Sequence, residues 1–106
     1  MNKLFLDDTR DCPTTGGYNC VRNASMAKTF LQIMPFDFIT LDYSLGRGEE
    51  TGLDVLMWMK ENNIFVPHIN IHSDHSVGKE EMRAYCQENF PNSTVTMNPI
   101  SHSTKK

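Results

Sequence analysis

The stretch KLFLDDTRD, residues 3–11, places an apolar β-strand directly in front of two adjacent aspartates. Residues 3–7 are predicted to form a buried strand because the three positions after Lys3 are all large and apolar. Asp7 and Asp8 stand at the end of that strand. Neighbouring carboxylates repel each other, so this pair requires a compensating cation, a proton or strong hydrogen-bond donors.

An apolar strand that ends on an aspartate recurs in FDFITLD, residues 36–42. Outward from these two stretches, apolar runs predict three more strands, and apolar residues at helical spacing predict three helices. A proline- and glycine-rich loop, TRDCPTTGG, replaces a helix between the first two strands. The predicted strands are 3–7, 18–22, 36–42, 66–72 and 93–97, and the predicted helices follow Asn23 or Ser25, span 52–63 and span 77–90.

This alternation predicts an α/β fold with a single doubly wound, parallel, five-stranded sheet, in which the first crossover helix is replaced by the loop. The 106 residues suffice for one domain. That domain is predicted over 1–100, and SHSTKK, residues 101–106, is predicted to be a polar C-terminal tail.

The composition argues against several classes of protein. Hydrophobic residues make up 39% and charged residues 22%, which is typical of an ordinary globular domain. The net charge of -3 gives no evidence for nucleic-acid binding. No apolar run is long enough to span a membrane, so no membrane association is expected.

The three cysteines are odd in number and widely spaced. Cys12, Cys20 and Cys86 form no CxxC pair, which predicts free thiols in a reducing compartment instead of a disulfide framework or a zinc site. A strand-like N-terminus also argues against a signal peptide. The predicted location is therefore the cytoplasm.

Polar residues follow three of the predicted strands at their carboxyl ends, where open α/β sheets bind ligands. Asp7 and Asp8 follow the first strand, Asp42 the third, and His72 and Ser73 the fourth. Two or three carboxylates, completed by water and phosphate, suit Mg²⁺ or Mn²⁺. The alternative is a raised pKa on one aspartate and no metal.

Four polar side chains at or near these strand ends have candidate roles. His72 is either a general acid or base, or a buried histidine satisfied by a backbone carbonyl. Ser73 is predicted to donate a hydrogen bond to a phosphate oxygen. Arg10 is either a bidentate phosphate ligand or pairs with Asp11. His75 is either a surface residue or a cation that binds phosphate.

Four segments follow one another along the chain: LFLDDTR from Leu4, LDYSLG from Leu41, TGLDVLMWM from Thr51 and HSDHSVG from His72. Together they resemble the cyclic-phosphate-processing receiver-like family of bacteria and phages, a divergent relative of two-component response-regulator receiver domains. The resemblance implies a flavodoxin-like or receiver-like fold. It also implies processing of a cyclic phosphate, by hydrolysis or otherwise, on a nucleotide-like substrate.

The chain departs from both patterns at identifiable positions. Asp42 stands at the phosphoacceptor position of receivers, but Asn98 replaces their lysine and His72 replaces their hydroxyl residue. Within the narrower family, Ser44 stands where an acidic residue is usual, and His75 where an asparagine is usual.

The leading hypothesis is a metal-assisted phosphoesterase that acts on a cyclic or terminal phosphate of a nucleotide-like small molecule. In it, Asp7, Asp8 and Asp42 hold Mg²⁺ or Mn²⁺. Asp42 and His72 are the predicted catalytic residues, with His72 moving a proton. The predicted substrate-binding residues are Arg10, Ser73, Ser44 and His75.

Two alternatives remain open at the level of sequence. In the first, the chain is a catalytically degenerate binding module for a nucleotide or for a protein partner. That partner, or a second copy of the chain, would dock on the helix that carries Trp58. In the second, the chain is a signalling receiver phosphorylated on Asp42. The sequence leaves open whether the chain is an enzyme, and it identifies neither the exact substrate, the metal nor the oligomeric state.

Overall fold

The computed structural model describes residues 2–99, which contain a five-stranded parallel sheet with the strand order β2-β1-β3-β4-β5. This order confirms the predicted flavodoxin-like α/β fold. The predicted tail, 101–106, lies outside the described residues. The strands are β1 Lys3–Leu6, β2 Tyr18–Val21, β3 Phe38–Leu41, β4 His68–Ile71 and β5 Thr94–Thr96; the helices are α1 Ala24–Ile33, α2 Gly52–Glu61 and α3 Ser76–Asn89.

Each helix begins at a side chain that accepts a hydrogen bond from the first turn. Asn23, one of the two predicted caps, is the N-cap of α1. Thr51 and Asp54 form a reciprocal capping box at α2. His75 caps α3 through its ring nitrogen Nδ1, a use that the sequence analysis did not anticipate. These caps fix where each helix starts, directly after the loop that leaves the preceding strand.

The three helices form one layer, in which α1 packs against α2 and α2 against α3. They cover the sheet face that carries Leu4, Ile39 and Ile69, which belong to the hydrophobic core. Because side chains alternate along a strand, Phe5 and Thr40 point to the opposite face. Within residues 2–99, that second face has no helix, because the loop stands in place of the first crossover helix.

The helix α2 buries most of the apolar surface noted in its sequence. Val55, Leu56 and Met59 are buried, and Trp58 packs half-buried against the same core. Met57 is 44% exposed, so the partner surface predicted on this helix remains a prediction. None of the helices within residues 2–99 combines the length and the apolar character needed to cross a membrane.

The prediction of three free thiols is wrong, because Cys12 and Cys20 form a disulfide. The loop that follows β1 turns back toward the edge strand β2, where Cys20 lies, and brings the two Cα atoms to 5.9 Å. Cys86 is the free cysteine; it is buried in α3, and burial raises its pKa to about 12. The argument for a reducing compartment therefore fails, and the cytoplasmic location remains a prediction without it.

Candidate functional site

Asp7 is a fully buried carboxylate at the end of β1. Its Oδ1 accepts hydrogen bonds from the backbone N–H groups of Thr9 and Arg10, both at 3.0 Å. Its Oδ2 lies 3.0 Å from Nε2 of His72. Burial by itself would raise the pKa of Asp7, but these donors outweigh it and lower the pKa below its ordinary value. Asp7 is therefore ionised.

The structure brings Asp7, Asp8 and Asp42 together as the strand ends predict. Parallel pairing aligns Leu6 of β1 with Leu41 of β3, so the aspartates that follow them are neighbours. One oxygen of each of the three carboxylates lies within 4.8 Å of the others. Burial and the charge of Asp7 raise the pKa of Asp42, although a hydrogen bond from the Ser73 side chain opposes the rise.

This donor set fits a divalent cation. Three oxygen ligands on one side leave room for water and phosphate to complete the coordination that Mg²⁺ prefers. Burial is the largest cause of the raised pKa of Asp42, and the neighbouring charge of Asp7 adds to it, so the ionised form of Asp42 lacks full compensation by the protein. A cation at this position would restore the balance.

Arg10 crosses the mouth of the site and is held by three groups. Its Nη1 donates to the backbone carbonyl of His72 at 2.8 Å and lies 3.6 Å from Asp7. Its Nη2 pairs with Asp74 at 2.6 Å. The alternative in which Arg10 pairs with Asp11 is therefore not the arrangement found. A fixed guanidinium beside the carboxylates can bind phosphate oxygens.

His72 is buried, and both of its ring nitrogens are engaged by protein atoms. Nε2 faces Asp7, and Nδ1 lies 2.6 Å from Oγ1 of Thr40. The ring also stacks on Phe5 at a centroid distance of 5.0 Å. Burial lowers the pKa of His72, so the ring is neutral at pH 7. Its partners are side chains, not the backbone carbonyl considered from the sequence.

The ionised Asp7 carboxylate, which can only accept, fixes the tautomer of His72, and the hydrogen bonds around Thr40 agree with it. Asn70 Nδ2 donates to Thr40 Oγ1 at 2.9 Å, which leaves the threonine hydroxyl free to donate to His72 Nδ1. His72 then carries its proton on Nε2 and donates it to Asp7. Asn70 Oδ1 in turn accepts from Thr96 Oγ1 at 2.6 Å. This polar ladder of Asp7, His72, Thr40, Asn70 and Thr96 runs across the sheet face that lacks a helix.

The loop after β4 supplies two more polar groups. Ser73 hydrogen-bonds to Asp42 and also accepts the backbone N–H of His75 at 3.1 Å. Nδ1 of His75 accepts the N–H of Gly78 at 2.9 Å, so a neutral His75 carries its proton on Nε2. The ring of Tyr43 packs against that of His75 at a tilt of 31°, with a centroid distance of 4.7 Å.

An open cavity of about 400 Å³ lies between Asp42, Arg10 and the loop after β4. All four predicted substrate-binding residues line it, together with Asp42 and two residues that the sequence analysis did not single out. Its lining consists of Thr9, Arg10, Asp42, Ser44, Ser73, Asp74 and His75. The predicted substrate-binding residues thus share one cavity with Asp42, while the ring nitrogens of His72 are turned to the interior. The roles of these residues remain predictions.

Sequence reasoning missed the residues that support the site. Thr40 and Asn70 are buried polar residues inside strands that were predicted only from their apolar runs. Arg22 was also missed; its Nη1 donates to the carbonyls of Asp7 and Arg10 and ties the loop to β2. The available signal was alternation, because Asn70 lies two residues before His72, and Thr40 two before Asp42, on the same face.

Comparison with known proteins agrees with this geometry. No curated protein matches the chain. A family model described as the cyclic-phosphate processing receiver domain matches residues 2–88, which include Asp7, Asp42 and His72 and end before β5. The chain belongs to the cyclic-phosphate processing receiver domain family.

Proposed function

We propose that this domain processes a cyclic or terminal phosphate ester of a nucleotide-like small molecule, with Mg²⁺ or Mn²⁺ held by Asp7, Asp8 and Asp42. The observation that carries the proposal is the convergence of these three carboxylates, of which Asp42 lines an open cavity that also contains the paired Arg10. The name of the family supports the same class of substrate.

The cation, when bound, would polarise the phosphoryl group and offset its negative charge. Arg10 would bind phosphate oxygens from the opposite side, and its orientation is preset by Asp74 and the carbonyl of His72. Ser73, which lies between Asp42 and the N-terminus of α3, would hydrogen-bond to a further phosphate oxygen.

The proton-transfer role predicted for His72 requires one of its ring nitrogens to leave its present partner. The contacts favour a different role, in which His72 orients the Asp7 carboxylate through Nε2. His75 is better placed to face a ligand, because its Nδ1 caps α3 and its protonated Nε2 remains for the cavity. We therefore assign His72 as a positioning residue and His75 as a donor to a phosphate or leaving-group oxygen.

Turnover of a panel of nucleoside cyclic phosphates with Mg²⁺ or Mn²⁺ tests the proposal. Asp42→Asn should abolish metal-dependent turnover, since it removes a ligand charge. Asp37→Asn is the matched control, because Asp37 lies near the other end of β3 and its carboxylate accepts the N–H of Asn2. Turnover that survives Asp42→Asn contradicts the proposal. Tight binding with no product after long incubation would instead identify a non-catalytic binding module.

A further inference from the structure

A second cavity of about 370 Å³ lies beside the carboxylate cavity, and the proposed mechanism does not use it. Both cavities are lined by Arg10, Ser73 and Asp74, so they are neighbours along the same edge of the sheet. The remaining walls of the second cavity include Ile71 and Lys79. We call it the Lys79 cavity.

Lys79 is the uncompensated charge in this cavity. Asp74, the carboxylate in the lining, is already paired with Arg10 at 2.6 Å. The ammonium group of Lys79 makes no hydrogen bond or ion pair with another residue in the 2–99 part of the chain. A cation that lines a cavity and has no acidic partner attracts an anionic ligand group.

The lining argues against two other kinds of ligand group. A second metal ion would need several carboxylates, and the cavity offers only the paired Asp74. A nucleobase would gain most from stacking on an aromatic face, but no Phe, Tyr or Trp contributes to the described lining, and the ring of His72, which does, is already stacked on Phe5. The apolar contribution comes from Ile71, Met97 and Pro99.

We propose that the Lys79 cavity binds a second phosphate of the same nucleotide whose reacting phosphate lies at Asp42. The inference rests on the proposed function and narrows its substrate to a nucleoside that carries a cyclic phosphate at one end of the ribose and a phosphate at the other. Arg10 lines both cavities and would contact the ligand between its two anionic ends.

Two probes that differ by one phosphate test this inference: adenosine 2′,3′-cyclic phosphate and its 5′-phosphorylated form. The wild-type protein should prefer the 5′-phosphorylated probe by about tenfold in KM, the effect of one charge-assisted hydrogen bond. Lys79→Gln should remove this preference and leave kcat for the singly phosphorylated probe unchanged. Lys79→Arg should retain the preference. Lys60→Gln, the same charge change on α2 and outside both cavities, should also retain it.

If neither probe turns over, the same ratio is measured as Kd by calorimetry with Mg²⁺ present. A preference in binding that depends on Lys79, without turnover, supports the second phosphate site and contradicts the proposed function. Turnover without any preference, or a preference that survives in a folded Lys79→Gln protein, overturns the second phosphate site and leaves the proposed function standing.

Discussion

Asp42 carries the clearest energetic consequence among single residues. Its pKa is raised by burial and by the charge of Asp7, so the ionised group subtracts stability above its unfolded pKa and is harmless in acid. Asp42→Asn should therefore stabilise the metal-free protein at pH 7, by about 1 kcal/mol after allowing for solvent screening of a partly exposed group. Thermal unfolding in EDTA measures this.

The same melting experiment with millimolar Mg²⁺ or Mn²⁺ tests whether the three carboxylates bind a cation. A cation that binds only the folded protein stabilises it by mass action, so wild type should gain melting temperature and Asp42→Asn should gain little. Asp37→Asn should respond to the metal as wild type does, since Asp37 lies near the other end of β3. A mutant that melts below wild type without metal, or that gains equally with it, would show that the three carboxylates do not form one site.

The buried His72 should make the stability of the protein depend on pH near neutrality. Burial lowers the pKa of His72 in the folded state. The unfolded chain therefore takes up a proton on His72 at a higher pH than the folded protein does. The folded state is favoured above the unfolded pKa, and stability is lost as the pH falls below it. The free energy of unfolding in EDTA should decrease from about pH 7.5 to about pH 5.5. His72→Gln should flatten this decrease, and His68→Gln should not. An equal slope in wild type and His72→Gln would contradict the assignment of a buried neutral ring.

At the scale of elements, the first turn of α3 packs closely against the loop after β3. A Cβ atom built on Gly78 would overlap the ring of Tyr43, which packs directly on the helix backbone. Gly78→Ala should therefore destabilise the protein by about 1–3 kcal/mol, although alanine is the better helix former. Denaturant unfolding measures the cost.

A double-mutant cycle isolates this contact. In a Tyr43→Ala background the ring is absent, so Gly78→Ala should be neutral or stabilising. The same loss in both backgrounds would mean that the cost comes from another contact. Because the ring of Tyr43 also packs against His75, the contact links helix packing to a residue that lines the cavity.

The loop between β1 and β2 is the other element that positions the site. It carries Thr9 and Arg10, and the disulfide between Cys12 and Cys20 fastens it to the edge strand. The bond closes a short loop and should contribute about 2–3 kcal/mol through the entropy of the unfolded chain. Adding a reductant should lower the free energy of unfolding of wild type by that amount and leave that of Cys12→Ser/Cys20→Ser unchanged. Thiol counting in denaturant should find one free cysteine, Cys86; three would contradict the disulfide.

At the scale of the whole molecule, the sequence predicted the order of elements and the location of the carboxylates. The apolar runs that end on Asp7 and Asp42 can be recognised in the sequence alone. Once the two strands pair in parallel, the two aspartates become neighbours. Such reasoning works because strand ends in a parallel sheet share one edge.

Contacts that depend on the three-dimensional path of the chain were harder to predict from the sequence. Cys12 and Cys20 give no pairing signal along the chain, because their approach depends on how the loop folds back on β2. Thr40 and Asn70 look like interruptions of apolar strands, and their roles emerge only when β3 and β4 are paired in register. The prediction of three free thiols failed because spacing says nothing about the path of a loop.

The polar ladder across the sheet face that lacks a helix also has a spectroscopic consequence. The Nε2 proton of His72 is enclosed between Asp7 and Phe5 and has no route to water without local opening, so its exchange with solvent should be slow. Proton NMR at neutral pH should therefore detect this proton as a downfield resonance, with ¹⁵N shifts of a single tautomer. Asp7→Ala, which removes the acceptor of this proton, should broaden or abolish the resonance. The imidazole proton of one histidine would thus report, in solution and without any substrate, whether the strands that carry the carboxylates are held in register.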